Sequence, residues 1–135
     1  MLRLLIADDH PVIRQGIIHL LRSEPGFDRP AEAATRAETL AQVTAHQPDL
    51  LIMNTTLVDA DSLEMVVAVK RLQPALRIVL LHPEPEPDFT RRALACGADG
   101  IVTKLEPDEE LLAALHAVAR GEISISAATA KLMNG

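Results

Sequence analysis

Short apolar runs that alternate with amphipathic stretches are the feature that most constrains how this chain can fold. The runs lie at residues 2–7, 27–34, 50–53, 77–81 and 101–102. The first is apolar throughout except for Arg3, which indicates a strand buried on both faces. Pro30 places the second, weaker run at a sheet edge. Strands and helices in strict alternation predict an α/β fold, in which a five-stranded parallel sheet is covered by helices on both faces.

Capping residues and prolines mark the expected helix ends. Thr35 with Glu38, and Asp61 with Glu64, have the spacing of a capping box, and Pro11 suits a first helical turn. The predicted helices run from about 11–23, 35–46, 61–73, 88–96 and 106–121, with one more short helix that starts near residue 126.

Composition excludes several classes of function. The chain of 135 residues has 13 Lys and Arg against 19 Asp and Glu, a formal net charge of −6. We therefore expect no nucleic-acid binding by this chain itself, because neutralising phosphates needs clustered cations. A single cysteine, Cys96, fits a reducing compartment. Neither a signal peptide nor an apolar run of membrane-spanning length is present. The sequence thus predicts a cytoplasmic protein with no membrane segment.

Polar residues follow three of the apolar runs. Asp8 and Asp9 come after the first, Asn54 after the third and Lys104 after the fifth. Parallel strands bring their carboxyl ends to one edge of the sheet, where open α/β folds place their binding sites. Two carboxylates, an amide and an ammonium group are therefore expected to meet at that edge.

These segments carry a family resemblance when they are taken together. ADD at 7–9, PDLLIMN at 48–54 and GADGIVTK at 97–104 resemble the receiver domain of bacterial two-component response regulators, in the subgroup with a helix-turn-helix DNA-binding domain. The resemblance covers about residues 2–121 and implies a flavodoxin-like fold with strand order 2-1-3-4-5. Residues 122–135 would then be a helix or linker that leads toward a C-terminal DNA-binding domain.

The resemblance also implies roles for residues at the edge of the sheet. Asp9 directly and Asp8 through water would bind magnesium, with the backbone carbonyl of Thr56 completing the set. Lys104 would contact the phosphoryl group. The residue at position 54 would be an aspartate that accepts this group, whereas this chain has Asn54. An amide cannot form the acyl phosphate, because the attacking group must be a carboxylate.

Other switch positions depart from the family pattern as well. His82 stands where receivers have a Thr or Ser hydroxyl, and Ile101 stands where an aromatic residue often reports activation. Three prolines within residues 82–88 stiffen a loop that moves in the family. Because these positions depart together, we expect an atypical, degenerate receiver. Lys104, without a phosphoryl group to contact, would pair with Asp8, Asp9 or Asn54.

The expected function is that of a regulatory and dimerisation domain that works without phosphorylation, and not that of an enzyme. No resident cofactor is expected beyond weakly bound Mg²⁺. A homodimer would form through the first and fifth helices, with Ile18 and Leu112 in the interface. Two alternatives remain open: an atypical receiver that senses a small molecule in the same crevice, and an ordinary receiver that carries an engineered Asp-to-Asn change at position 54.

Overall fold

The computed structural model describes residues 1–57 and 59–134. Strands and helices alternate along the chain. Their bounds are β1 Leu4–Ala7, α1 Pro11–Leu21, β2 Ala31–Ala33, α2 Arg36–His46, β3 Leu50–Asn54, α3 Ser62–Leu72, β4 Arg77–His82, α4 Pro87–Cys96, β5 Gly100–Thr103, α5 Asp108–Ala119, β6 Ser124–Ile125 and α6 Ala127–Asn134. The predicted α/β architecture is therefore confirmed, and the predicted helix starts agree with the structure to within two residues.

The sheet is parallel and has the strand order β2-β1-β3-β4-β5-β6. The predicted five-stranded sheet is wrong by one strand, because β6 extends it beyond β5. Ser124 pairs with Gly100, and the backbone N–H of Ser126 donates to the carbonyl of Ile101 at 2.9 Å. A strand of two residues has no hydrophobic period to read, so only its pairing with β5 identifies it. The predicted linker segment thus contributes to the sheet.

Each face of the sheet packs against its own set of helices. The first core cluster joins one side of the strands to α1 and α5, and the second joins the other side to α2, α3 and α4. Neighbouring strand residues such as Leu5 and Ile6 belong to opposite clusters, as the alternation of side chains in a strand requires. Both faces are covered, which explains why the central strands are apolar throughout.

Local capping sets the helix starts as the sequence predicts. The hydroxyl of Thr35 accepts from the backbone N–H of Glu38 at 3.1 Å, and the Glu38 carboxylate accepts from the backbone N–H of Ala34 at 3.2 Å. This arrangement satisfies donors that a helix start leaves free. At the other end of a helix, Gly97 has φ 117°, a conformation that favours glycine and ends α4.

Helix α1 is buried over a wider arc than its sequence period indicates. Ile17, Ile18 and Leu21 are all buried in the first core cluster, and Ile18 is only 4% exposed. The prediction that Ile18 lies in a dimer interface is therefore wrong, because its side chain is used inside the domain. Leu112 on α5 is half-buried, as expected for a flanking position. Val12 is the strongly exposed apolar residue of α1, at 84%.

The helices are short as well as amphipathic. In the parts of the chain that the structure describes, α5 is the longest at 12 residues, and no helix has the length and apolar character needed to cross a bilayer.

Candidate functional site at the carboxyl edge of the sheet

The acid pair lies where β1 ends. Asp8 is fully buried, and its Oδ1 accepts from the backbone N–H of His10 at 2.8 Å and lies 3.2 Å from the His10 Nδ1. Its Oδ2 has no hydrogen-bond partner among the residues that the structure describes. Asp9 Oδ1 lies 3.0 Å from the same ring nitrogen. A buried carboxylate oxygen without a donor requires a cation or a water molecule beside it.

Asn54 lies at the same edge, at the end of the neighbouring strand β3. The register pairs Ala7 with Met53, so Asp8 and Asn54 each directly follow one of two paired residues. The Asn54 Oδ1 accepts from the backbone N–H of Thr56 at 3.0 Å and from the Thr56 hydroxyl at 2.8 Å. Its Nδ2 has no partner within the described part of the chain. What Asn54 presents to the site is therefore a buried N–H donor and not an anionic oxygen.

His82 is held firmly at the end of β4. Its Nδ1 lies 2.7 Å from the Thr55 hydroxyl, and its Nε2 lies 3.2 Å from the Glu86 carboxylate. Its ring stacks on Phe89 with the centroids 4.2 Å apart and the planes within 4°. Both ring nitrogens are engaged, so this imidazole is not available to swing toward Asn54 without breaking these contacts.

Lys104 and Ile101 occupy different environments from each other. Lys104 is exposed and has no ion-pair partner among the residues that the structure describes, so the predicted pairing with Asp8, Asp9 or Asn54 is wrong. A long, strongly hydrated ammonium side chain gains little from entering a partly buried site. Ile101 is 1% exposed and belongs to the second core cluster. It is a packing residue.

The acid pair fits a divalent cation, and the sequence reasoning missed one neighbour. Asp8, Asp9 and His10 can each offer a ligand atom, and these atoms lie within 4.8 Å of one another. Magnesium takes oxygen ligands and keeps several waters, so two carboxylates suit a weakly held ion. Asn54 presents a neutral N–H donor, so it adds no attraction for a cation. The adjacency of His10 to Asp8 and Asp9 was the signal that could have identified it.

A cleft opens beside this edge, between α1 and the start of α5. Its lining is apolar at the base and charged at the mouth. It is formed by Ile13, Ile17, Leu81, Val102, Thr103, Lys104, Glu106, Pro107, Asp108 and Leu111. The Thr103 hydroxyl donates to the Glu106 carboxylate at 2.8 Å, which leaves Lys104 as the cationic group at the mouth.

Two curated regulatory proteins are similar to this chain in sequence. The chain is 31% identical over 121 residues to the DNA-binding transcriptional activator DevR/DosR of Mycobacterium tuberculosis, and 32% identical over 124 residues to the oxygen regulatory protein NreC of Staphylococcus haemolyticus. Each match covers 90% of this chain but only 56% of the relative, so the chain spans about half the length of these relatives.

A solved structure matches the whole architecture. The two-component response regulator of the LuxR family from Aurantimonas sp. SI85-9A1 superimposes with a TM-score of 0.92 at 30% identity, covering 97% of this chain and 94% of that one. The model of the response regulator receiver domain family matches residues 4–116, which include β1 to β5 and most of α5. The chain therefore belongs to the response regulator receiver domain family.

Proposed function

We propose that this receiver regulates transcription without accepting a phosphoryl group at position 54. Asn54 carries the proposal: it is fully buried at the end of β3, the strand that pairs with β1, and the family resemblance implies an acceptor aspartate at this position. Formation of an acyl phosphate requires a carboxylate nucleophile, and the Asn54 Oδ1 is an amide oxygen already bound by two donors of Thr56.

The two switch positions support the same proposal. His82 takes the place of the hydroxyl that responds to phosphorylation in the family, and it is tied to Thr55, Glu86 and Phe89. Ile101 takes the place of the aromatic reporter and is packed inside the second core cluster. A switch needs two arrangements of similar free energy, whereas these contacts favour one.

In the whole protein, a domain other than this receiver would contact DNA. The relative DevR/DosR is a DNA-binding activator, and this chain spans only part of its length. The net charge of −6 disfavours DNA contact by the receiver itself. We therefore propose a cytoplasmic regulator in which this receiver forms a homodimer and a C-terminal domain that follows residues 122–135 binds DNA. Its role is regulatory and not enzymatic.

The proposal includes weak magnesium binding at the acid pair. Asp9 and Asp8 would hold the ion with several waters, and the Thr56 carbonyl would complete the set. Bound there, the ion would supply a positive charge beside the buried Asp8 carboxylate, whose Oδ2 needs such a partner. The bound magnesium ion would then stabilise the carboxylates of Asp8 and Asp9.

Direct phosphorylation chemistry tests the proposal. The wild-type chain is incubated with acetyl phosphate and magnesium, and its intact mass is measured beside that of Asn54→Asp as the positive control. We expect no phosphoryl adduct on the wild type and an adduct on the variant. A stable wild-type adduct that maps to Asp8, Asp9 or His82 would contradict phosphorylation independence.

Small-molecule sensing is the second candidate, and the cleft beside Lys104 favours it. The apolar lining suits a small amphipathic molecule, and Lys104 offers one cation at a mouth that also carries Glu106 and Asp108. Short-chain carboxylates and organic phosphates should then raise the melting temperature of the wild type and not that of Lys104→Gln. An equal response in both proteins would leave the cleft without a sensing role.

A further inference from the structure

His82 joins three separate segments of the chain. Thr55 directly follows β3, His82 ends β4, and Glu86 and Phe89 stand at the start of α4. The imidazole is 8% exposed, both of its nitrogens lie within hydrogen-bond distance of a partner, and one face of the ring is covered by Phe89. We call these four side chains, Thr55, His82, Glu86 and Phe89, the His82 cluster.

The backbone around the His82 cluster leaves little freedom. The backbone N–H of Thr55 donates to the carbonyl of Leu81 at 2.9 Å, and that of Lys104 donates to the carbonyl of His82 at 2.9 Å. The chain from β4 to α4 contains three prolines, each with a fixed φ. The first turn of α4 is therefore positioned by the ring contacts of His82 and by a stiff connection.

Helix α4 in turn supports the C-terminal segment. Helix α6 packs against α4, while β6 is hydrogen-bonded to β5. Ser126 and Thr129 at the start of α6 are buried, and their hydroxyls lie 2.8 Å apart. The contacts that hold residues 124–134 thus come from α4, which packs against α6, from the edge of the sheet at β5, and from α5, which packs against β6.

We infer that the His82 cluster fixes the position of α4 and thereby holds the C-terminal segment 124–134 in its packed position on the domain. Loosening the cluster frees α6 in a local opening that leaves the core folded. Because residues 122–135 lead toward the proposed output domain, this inference deepens the proposed function and rests on it for its biological meaning. The structural coupling itself does not depend on whether position 54 accepts phosphate.

The chain contains a second stacked imidazole that serves as a partial control. His116 on α5 also stacks on a phenylalanine, Phe27, with centroids 4.9 Å apart, and its Nε2 lies 2.8 Å from the Glu24 carboxylate. This second imidazole is on the opposite face of the sheet, with α1 and α5. His82→Ala and His116→Ala each remove a ring stack and a contact to a glutamate, and of the two only His82→Ala removes a contact of α4. The His116 side chain is the more exposed, at 39% against 11%.

Amide hydrogen exchange measured by mass spectrometry tests the coupling. In His82→Ala, amides of residues 87–96 and 124–134 should exchange on the order of ten-fold faster than in the wild type, while those of α2 are unchanged. His116→Ala should leave residues 87–96 of α4 and residues 127–134 of α6 at the wild-type rate, whereas β6 is not part of this control because it packs against α5. Thr55→Val, which keeps the shape and removes one hydrogen bond, should show the same pattern more weakly and serves if His82→Ala fails to fold.

Two results would overturn the inference. One is unchanged exchange in residues 124–134 when α4 is loosened, and the other is a uniform increase across all helices in both His82→Ala and Thr55→Val. A phosphoryl adduct on the wild type would instead remove the proposed phosphorylation independence and leave the exchange result standing. The two failures are therefore distinguishable.

Discussion

At the residue scale, the edge of the sheet holds two complementary groups without partners. Asp8 has a buried oxygen without a donor, and Asn54 has a buried N–H without an acceptor, within the part of the chain that the structure describes. Each needs a water molecule or a ligand, because leaving a buried polar group unsatisfied costs about 1–3 kcal/mol. An aspartate at position 54 would instead place a second buried negative charge at the end of the strand next to Asp8.

We therefore predict that Asn54→Asp lowers the metal-free melting temperature and strengthens magnesium binding. Repulsion among three carboxylates destabilises the free protein, and the added charge attracts the cation by roughly 1–3 kcal/mol. Calorimetric titration with magnesium and thermal melts measure the two effects. Asn134→Asp, an exposed change on α6 with the same charge, should leave magnesium binding unchanged. Equal affinity and equal melting temperatures in Asn54→Asp and the wild type would argue against a clustered acid site.

At the scale of elements, capping decides where helices start and packing decides how far they are buried. Helix α2 buries Thr39 and Val43 and begins with a side-chain cap at Thr35, so we expect its start to depend on that cap. Helix α1 begins without a side-chain cap but has Pro11 at its first position and three buried aliphatic residues. The starts of α1 and α2 are therefore stabilised differently, the first by a proline and buried aliphatic residues and the second by a side-chain cap.

Loss of the α2 cap should be measurable. We predict that Thr35→Ala lowers the free energy of unfolding by about 1 kcal/mol, because the backbone N–H of Glu38 loses its acceptor. Thr44→Ala in the same helix is the control: its exposed hydroxyl only returns to the carbonyl of Leu40, and alanine is the better helix former. Urea unfolding of both variants provides the comparison. Equal losses in the two would show that the cap contributes nothing specific.

At the scale of the whole molecule, exposed apolar residues lie on and beside α1 and α5, the helices that cover one face of the sheet. Val12 is the second residue of α1 and is 84% exposed, and Leu105 precedes α5 at 76% exposure. Beside them, Ile13 and Leu112 are only partly covered by the first core cluster. Apolar groups that cluster on one face mark a surface suited to a partner. A regulator that acts on paired half-sites gains from a second copy there.

We predict that the chain self-associates through α1 and α5, and that Val12→Glu shifts it to a monomer in sedimentation velocity. Glutamate in the first turn of a helix is favourable, so the fold should persist by circular dichroism. Leu72→Lys on the opposite face should leave the association state unchanged, because Leu72 is 54% exposed at the end of α3, where a cation is favourable. A wild-type chain that stays monomeric at high micromolar concentration would refute this prediction.

The sequence by itself determined the first five strands, the helix starts to within two residues and the polar residues at the edge of the sheet. These features are local. A run such as Leu50–Met53 has no solvent-exposed face, and Thr35 and Glu38 interact across one helical turn. Asn54 directly follows the apolar run of its strand. The positions of Asp8, Asn54 and Lys104 at one edge follow from strand direction alone, without any knowledge of packing.

Only the tertiary structure decided which of these side chains meet. Ile18 is buried because α1 lies across the strands over a wide arc, and β6 exists because β5 offers a free edge. His82 contacts Thr55, which is 27 residues away in the chain, while Lys104 points to solvent. Such contacts join residues that are distant in sequence, and they depend on side-chain direction and helix placement. A local period carries no information about either, so the sequence could name the residues of the site but not their partners.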